Sequence, residues 1–385
     1  MRAKMNIVAD QNIPLAKELF AEFGEITSLP GREITAKDID NADILLVRSV
    51  TSVTRELLLG NTTVKFIGSC TIGIDHLDTD YLSTANITWA NAPGCNANAV
   101  VQYVLTAMAI AQPQWLNKKI GIIGCGNVGG RLYKCLSALG VDCVYYDPLL
   151  SAAPDLGRVS LNELLVQADI ISCHVPLTVN GEYPSLHMLA KQELAMIKEG
   201  ALLINSGRGA VIDTTALSEE IDRRKLCSKK LSVVLDVWEN EPSVDHRLLD
   251  KISLGSPHIA GYSIEGREQG TFMIYQALCR FLKQPESTVA QAQLTTDKKA
   301  VPTHLVFDQA TSDTSSEAFE DFNRLLVFCY NSTRDHQALR LVDNFDDLRK
   351  NYPARREYSH FVLPNDFDHA QINHWFNIIK LQLYK

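Results

Sequence analysis

The feature that most constrains the fold of this 385-residue chain is a glycine-rich segment directly after a short apolar run. Residues 119–123 read Lys-Ile-Gly-Ile-Ile, and Gly124-Cys-Gly126-Asn-Val-Gly129 follows them. When Gly-x-Gly-x-x-Gly joins a strand to a helix, its glycines allow a tight turn, a close backbone approach to a diphosphate, and close helix–strand packing. The segment therefore predicts a dinucleotide-binding βαβ unit. The residues predicted to contact the cofactor here are Gly124, Gly126, Asn127, Val128 and Gly129.

An acidic residue, Asp147, follows the next predicted strand, residues 142–146. A carboxylate in this position can accept hydrogen bonds from the adenosine ribose hydroxyls. It would repel the 2′-phosphate of NADP, because both groups are negatively charged. The sequence therefore predicts NAD as the cofactor.

Short apolar runs alternate with helical stretches up to about residue 285, which is typical of βαβ units and a parallel sheet. Helices are expected at residues 98–112 and 128–139. Strands are expected at 5–9, 44–47, 64–68, 87–90, 119–123, 142–146, 170–174, 201–205 and 232–235. The fold class is therefore α/β with doubly wound parallel sheets.

The composition changes after Pro285. Residues 286–318 are rich in Thr, Ser, Gln, Asp and Ala, and they predict a linker or irregular lead-in. Aromatic residues and a mixed helix and strand pattern return from residue 319 to 384, which is enough for a small third domain.

Composition argues against several classes of protein. A formal net charge of -8 argues against a nucleic-acid binder, which needs clustered Lys and Arg. The nine cysteines include no Cys-x-x-Cys pair, so no metal site is expected, and dispersed thiols favour a reducing cytoplasm. The longest apolar stretch, residues 100–111, is too short to span a membrane. The basic run 223–230 is expected to be a solvated loop.

Three segments beyond the glycine-rich turn carry groups suited to oxidising a secondary alcohol beside a carboxylate. Arg208 follows an apolar strand, and its planar guanidinium can hold a carboxylate through two hydrogen bonds. Residues 236–241 read Asp-Val-Trp-Glu-Asn-Glu and supply three acids. His258, in Pro-His-Ile-Ala-Gly-Tyr, can act as acid or base near neutral pH when a carboxylate lies beside it.

The order of these motifs closely resembles the D-isomer-specific 2-hydroxyacid dehydrogenase family. The resemblance covers roughly residues 5–283 and rests on GCGNVG, NSGRGAVID, DVWENEP and PHIAGY. It implies that Arg208 binds the substrate carboxylate, that His258 is the general acid/base, and that Glu241 rather than Glu239 pairs with His258. Further cofactor contacts follow from it at Val175, Pro176, Ser206, Gly207, Asp236 and Gly261, with Asp236 facing the nicotinamide carboxamide.

The resemblance also implies the domain division. Residues 1–95 and 259–285 would form a flavodoxin-like substrate-binding domain, and residues 96–258 a Rossmann-like NAD-binding domain. Residues 286–385 would contain the linker and a small α+β dimerisation domain, because residues 349–357 resemble the C-terminal extension of one branch of the family. A homodimer is therefore expected.

That branch acts on a phosphorylated 2-hydroxy acid, and the segments around Arg48 and Thr71 resemble it as well. Arg48, Ser49 and Thr71 are expected to bind the phosphate and its neighbouring hydroxyls, with Tyr262 adding a further hydroxyl. Ser49 and Thr71 could instead cap local backbone groups. Two other functions remain open: a phosphoglycerate or hydroxypyruvate/glyoxylate enzyme of the same family, and a NAD-sensing interaction protein on the same fold.

Overall fold

The computed structural model describes residues 4–150, 157–287, 303–304, 315–363 and 370–384. The chain divides into two compact units. The first is formed by Met1–Asn96 and Ser263–Pro302, and the second by Ala97–Tyr262 and Thr303–Lys385. Each unit is built around its own parallel β-sheet.

The first unit has a five-stranded parallel sheet with the order β2-β1-β3-β4-β5. Its strands are β1 (Met5–Asp10), β2 (Gly24–Leu29), β3 (Ile44–Val47), β4 (Phe66–Ser69) and β5 (Thr88–Ala90). Its helices are α1 (Ala16–Phe20), α2 (Arg55–Leu58), α3 (Thr79–Thr84) and α10 (Ile264–Leu282). One apolar core joins α1 and α10 to the sheet, and a second lies under α2 and α3.

The second unit has a six-stranded parallel sheet with the order β11-β10-β9-β8-β6-β7. Its strands are β6 (Ile120–Ile123), β7 (Cys143–Tyr146), β8 (Ile170–Cys173), β9 (Ala201–Asn205), β10 (Leu231–Leu235) and β11 (Leu254–Gly255). Its first helices are α4 (Ala97–Ala111), α5 (Gly129–Ala138), α6 (Leu161–Gln167), α7 (Lys191–Met196), α8 (Thr214–Leu226) and α9 (His246–Leu249). Apolar cores cover both faces of this sheet, as buried parallel strands require.

The C-terminal segment shares a core with the sheet of the second unit. It contributes α11 (Ser315–Cys329), α12 (Thr333–Leu341), α13 (Phe345–Lys350), α14 (Ala370–Leu383) and the short parallel pair β12 (Thr303–His304) and β13 (Phe361–Val362). The ring of buried Trp115 lies 5.9 Å from that of Phe319 and 6.3 Å from that of Phe322. The division of this segment into a separate third domain stays a prediction.

The predicted class, two parallel-sheet α/β domains with a further C-terminal region, is confirmed. Two strands of the main sheets are not among those predicted: β2, a half-exposed edge strand, and β11, which has two residues. The short strands β12 and β13 are not among them either. The predicted linker 286–318 lies largely outside the described residues. Of the helices described, none is long and apolar enough to cross a membrane.

Candidate active site

The glycine-rich turn joins β6 to α5. Gly124 has φ +85°, in the left-handed region that favours glycine, and its N–H donates to the carbonyl of Tyr146 at 2.8 Å. A methyl group on Gly129 would lie 1.9 Å from the carbonyl oxygen of Gly124, so only glycine allows the helix to start this close to the strand. A methyl group on Gly126 would meet no atom within 4 Å. The backbone at Gly126 is therefore open to a ligand.

Asp147 lies beside this turn, at the end of β7. Its Oδ2 accepts a hydrogen bond from the N–H of Cys125 at 2.8 Å, and its Oδ1 accepts one from the N–H of Leu149 at 3.1 Å. A carboxylate accepts at about four positions, so these two bonds leave capacity for ribose hydroxyls. Asp147 thus supports the glycine turn, although helix α5 lies between the two in the sequence.

The ends of β8 and β9 meet the same turn. A methyl group on Gly124 would lie 2.7 Å from Cγ1 of Val175, and one on Gly207 would lie 2.9 Å from the carbonyl oxygen of Val175. Pro176, which follows Val175, accepts a hydrogen bond from Oγ of Ser185 at 2.6 Å through its carbonyl. The glycine turn, Val175 and Gly207 therefore form a continuous backbone surface at the carboxyl edge of the sheet, where open α/β sheets bind ligands.

His174 connects two of these strand ends. Its Nε2 shares a hydrogen bond with Oγ of Ser172 at 2.9 Å, and its Nδ1 shares one with Oγ of Ser206 at 3.2 Å. Burial lowers the pKa of His174 to about 3. The imidazole is therefore neutral at physiological pH, and it orients Ser206 rather than supplying a charge.

Asp236 organises the loop that carries His258. Asp236 is 1% exposed, and its backbone carbonyl accepts the N–H of His258 at 2.7 Å. Its carboxylate accepts the N–H of Ile259 at 2.8 Å and that of Ala260 at 2.9 Å. Oγ of Ser256 also donates to it, at 2.6 Å. The carboxylate thus has a structural role in addition to the cofactor contact predicted for it, which stays a prediction.

His258 and Glu241 form a close pair. Nδ1 of His258 lies 2.7 Å from Oε2 of Glu241, and Oε1 of Glu241 accepts the N–H of Trp238 at 2.9 Å. Burial raises the pKa of Glu241, but the charge and hydrogen bond of His258, the Trp238 N–H and the charge of Arg349 together outweigh burial and hold this pKa below its ordinary value. An ionised carboxylate can only accept, so Nδ1 carries the hydrogen. In the neutral ring, Nε2 then has the lone pair that a general base needs.

Glu239, the other glutamate considered from sequence, is engaged elsewhere. Its Oε1 lies 2.6 Å from Nε2 of His187, and its Oε2 accepts the N–H of Thr214 at 3.0 Å. The structure therefore places Glu241, and not Glu239, against His258.

Arg208 follows β9 and is half-buried. Its Nη1 donates to the carbonyl of Gly207 at 2.9 Å, and its own carbonyl accepts from the side-chain amide of Asn205 at 2.9 Å. The second contact ties the Arg208 backbone to Asn205, the last residue of a fully buried strand. A rigid support of this kind suits the role predicted for Arg208, which is to bind a substrate carboxylate and which stays a prediction.

Tyr262 ends the His258 loop, and its N–H donates to the carbonyl of Ile259 at 2.8 Å across the buried Gly261. Its ring packs edge-on against Tyr352 at 5.9 Å, and the guanidinium of Arg349 lies 5.7 Å from the ring centre. Tyr352 and Arg349 belong to the C-terminal segment. Sequence reasoning did not assign Arg349 a role, because no local pattern places it beside Tyr262 and Glu241.

The residues predicted to bind phosphate lie in the first unit. Arg48 and Ser49 follow β3, and Thr71 follows the adjacent strand β4, so all three lie at the carboxyl edge of that sheet. Ser49 is exposed. Oγ of buried Ser69 shares hydrogen bonds with Oγ1 of Thr71 at 2.9 Å and with Nε2 of His76 at 2.8 Å. Ser69 and His76, which sequence reasoning missed, thus orient Thr71.

These features define a class of protein: a Rossmann-type dehydrogenase with a His–Glu pair at the carboxyl edge of its nucleotide-binding sheet. The open backbone at Gly126, the N-terminus of the ten-residue helix α5 and Asp147 fit a dinucleotide. Within the described ranges, no group of three or more His, Cys, Asp or Glu side chains is arranged to hold a metal ion.

Comparisons with known proteins agree with this class. The NAD binding domain of D-isomer specific 2-hydroxyacid dehydrogenases matches residues 102–260, and a domain of unknown function matches residues 303–378. The NAD+-bound 3-phosphoglycerate dehydrogenase of Entamoeba histolytica has a similar fold, with a TM-score of 0.63 and 23% identity, over 73% of this chain and 96% of that one.

Curated relatives give a narrower assignment. The erythronate-4-phosphate dehydrogenase of Cellvibrio japonicus is 43% identical over 97% of this chain and 99% of its own length. That of Pseudomonas savastanoi is 46% identical over 92% and 93%. The chain therefore belongs to the erythronate-4-phosphate dehydrogenase family, and it is an NAD-dependent oxidoreductase.

Proposed function

We propose that this chain oxidises 4-phospho-D-erythronate to 2-oxo-3-hydroxy-4-phosphobutanoate in pyridoxal 5′-phosphate (vitamin B6) biosynthesis. The main supporting observation is the 2.7 Å contact between His258 and Glu241, at the carboxyl edge of the sheet that also carries a glycine turn suited to a dinucleotide. The choice of substrate is supported by relatives of 43–46% identity that carry this enzyme's name. The reaction removes a hydride from C2 and a proton from its hydroxyl group.

Each member of the predicted catalytic triad has one task. Arg208 binds the substrate carboxylate through its planar guanidinium and orients C2. Nε2 of His258 accepts the proton of the C2 hydroxyl group, because Nδ1 already donates to Glu241. The negative charge of Glu241 then stabilises the imidazolium. NAD, when bound, supplies the hydride acceptor.

Arg48, Ser49 and Thr71 bind the phosphate of the substrate and its neighbouring hydroxyls, and Tyr262 adds a further hydroxyl. The role of Thr71 is supported by its hydrogen bond to Ser69 at 2.9 Å, which orients the Thr71 hydroxyl. Arg48 supplies a positive charge for the phosphate. The resemblance to the family also supports a homodimer formed through the C-terminal segment. It likewise supports a cytoplasmic location. Light scattering of the purified protein would measure its mass in solution.

The first test is formation of NADH from 4-phosphoerythronate, 3-phosphoglycerate and glycerate, each with and without a 2-oxo acid as reoxidant. A clear preference for 4-phosphoerythronate is expected. Turnover of an unphosphorylated acid at an equal rate would show that the phosphate assignment is wrong. NAD binding without turnover of any of these acids would favour the alternative, a NAD-sensing interaction protein on the same fold.

A variant at His258 tests the proposed base. His258 has φ +56°, and asparagine is among the side chains that tolerate this conformation, so His258→Asn removes the imidazole with little added strain. Loss of a general base should lower kcat by roughly 10²- to 10⁴-fold, with the Kd for NAD unchanged. Wild-type turnover by this variant would exclude His258 as the base.

A further inference from the structure

The loop after His258 is held from two opposite sides. Asp236 accepts the N–H groups of Ile259 and Ala260 at 2.8 and 2.9 Å. On the other side, Nη1 of Arg355 donates to the carbonyls of the same two residues, at 3.3 and 3.1 Å. Both polar groups of each residue are therefore paired: the N–H groups by Asp236, which follows β10, and the carbonyls by Arg355 of the C-terminal segment. The carbonyl of Ile259 also accepts the N–H of Tyr262.

Arg355 is itself held firmly. It is 6% exposed, and its Nη2 donates to the carbonyl of Ala99 at 2.5 Å. Its Nε and Nη2 donate to Oε1 of Gln102 at 3.4 and 3.3 Å. Its guanidinium lies 3.8 Å from the ring centre of Tyr330, a cation–π contact. A buried cation with this many partners is held in a single position. The carbonyls to which it donates are therefore held in place as well.

The His258 loop needs such support. The φ of +56° at His258 is unfavourable for a residue with a side chain, and backbone in this state persists only where its surroundings hold it. Ile259 and Ala260 are 0% and 1% exposed, so without Arg355 the carbonyl of Ala260 would lose a buried donor. The backbone would then shift, and the imidazole of His258 would move relative to Glu241.

We propose that Arg355 is a positioning residue for His258: the C-terminal segment sets the geometry of the acid/base pair by holding the carbonyls of Ile259 and Ala260. This inference rests on the proposed role of His258. It gives the C-terminal segment a task within its own chain, separate from any part in dimer formation.

The test compares Arg355→Met and Arg355→Lys with a matched control, Asn323→Leu. Asn323 is also a buried polar residue of the C-terminal segment, where it accepts from Nε1 of Trp115 at 2.9 Å and donates to the carbonyl of Pro113 at 2.9 Å. It has no hydrogen bond to the His258 loop among those found in the described residues. Arg355→Met and Asn323→Leu both loosen the packing of the C-terminal segment, but only Arg355→Met releases the loop.

Arg355→Met should lower kcat by about 10- to 100-fold at saturating substrate and NAD, with a KM for the hydroxy acid within about threefold of wild type. Arg355→Lys should recover part of this loss, since an ammonium group can still donate to one or both carbonyls. Asn323→Leu should lower the Tm but keep kcat within about twofold. A wild-type kcat in folded Arg355→Met, or an equal loss of kcat in Asn323→Leu, would overturn the proposal.

Two further measurements keep the test decisive. If Arg355→Met does not fold, Gln102→Met removes the acceptor that orients Arg355 and should lower kcat in the same direction; an unchanged kcat would refute the proposal. Hydrogen exchange at the amides of Ile259 and Ala260 needs no substrate. It should accelerate in Arg355→Met but not in Asn323→Leu, and an unchanged rate would count against the proposal. Inactivity of the wild type on every hydroxy acid would instead refute the proposed function.

Discussion

Oε2 of Glu241 lies 2.7 Å from Nδ1 of His258, while Glu239, two residues earlier, pairs with His187 at 2.6 Å. Two glutamates of the same short loop therefore face different histidines. Because only Glu241 contacts the proposed base, the two residues make a matched pair of test positions.

Glu241→Gln should lower kcat/KM by about 10- to 100-fold. A glutamine oxygen can still accept from Nδ1, but the charge that stabilises the imidazolium is lost, and charge-assisted hydrogen bonds are roughly twice as strong as neutral ones. Glu239→Gln should leave kcat/KM within about twofold. Steady-state kinetics of both variants measure the difference, and equal losses would contradict the assignment of Glu241.

Alanine at two glycines of the same turn should have different consequences. At Gly129, the new methyl group would lie 1.9 Å from the carbonyl oxygen of Gly124, so Gly129→Ala should lower the Tm by several degrees and weaken NAD binding with it. At Gly126 nothing lies within 4 Å, so Gly126→Ala should leave the Tm of the cofactor-free protein unchanged. Its methyl group would occupy space that the diphosphate needs, and the Kd for NAD should rise at least tenfold.

Differential scanning calorimetry and calorimetric titration with NAD separate these effects. A Gly126→Ala protein with wild-type NAD affinity would show that the diphosphate does not approach this part of the turn.

Asp147→Asn should reduce the preference for NAD over NADP. The asparagine oxygen can still accept from the N–H of Cys125, which lies 2.8 Å from the present carboxylate, so the turn keeps its support. The negative charge that repels a 2′-phosphate is removed. We expect the ratio of kcat/KM for NAD to that for NADP to fall by about tenfold or more. An unchanged ratio would place the adenosine ribose away from Asp147.

Asp335 makes the stability of the second unit depend on pH. It is 8% exposed and accepts from the hydroxyls of Tyr330 at 2.5 Å and Tyr352 at 3.3 Å. Burial outweighs these contacts and nearby Arg355, and it raises the pKa of Asp335 from 3.8 to about 6. A raised pKa means that the folded state holds the proton more tightly than the unfolded state. The resulting stabilisation is complete below pH 3.8 and is lost as pH rises through about 6.

Asp335→Asn imitates the protonated form and should therefore raise the Tm at pH 7–8. The difference from wild type should shrink as the pH falls from 6 towards 4. Asp343→Asn, at a fully exposed carboxylate of the same segment, is the control and should change the Tm little at any pH. Thermal unfolding across this pH range measures both, and an Asp335→Asn protein less stable than wild type at pH 8 would contradict the prediction.

The parts of the site that could be predicted from sequence are those in which a local pattern determines the position of a residue. The glycines at 124, 126 and 129 follow a four-residue buried strand, and their spacing within six residues marks the turn in the sequence. Arg208 and Asp236 also lie within three residues of the ends of predicted strands, and the ends of parallel strands meet at one edge.

Contacts between distant segments could not be predicted in this way. Arg355 reaches the carbonyl of Ala260 across 95 positions of sequence. The basic run 223–230 was expected to be a solvated loop, and this is wrong for its first residues, which end helix α8. Arg224 is 3% exposed there, because it pairs with Glu220 at 2.6 Å and donates to the carbonyls of Leu194, Ile197 and Lys198. A run of charges does not reveal which member finds buried partners.

Helix α10 has a consequence for how the protein emerges from the ribosome. Ile274, Tyr275 and Leu278 of this helix complete the same core as Ile7, Leu46 and Phe66 of the first sheet. The ribosome must therefore add residues 97–282 before that face of the sheet can be covered, which takes about 10–40 s at ordinary rates of translation. During this interval the nascent first unit exposes an apolar sheet face, a surface of the kind that chaperones bind.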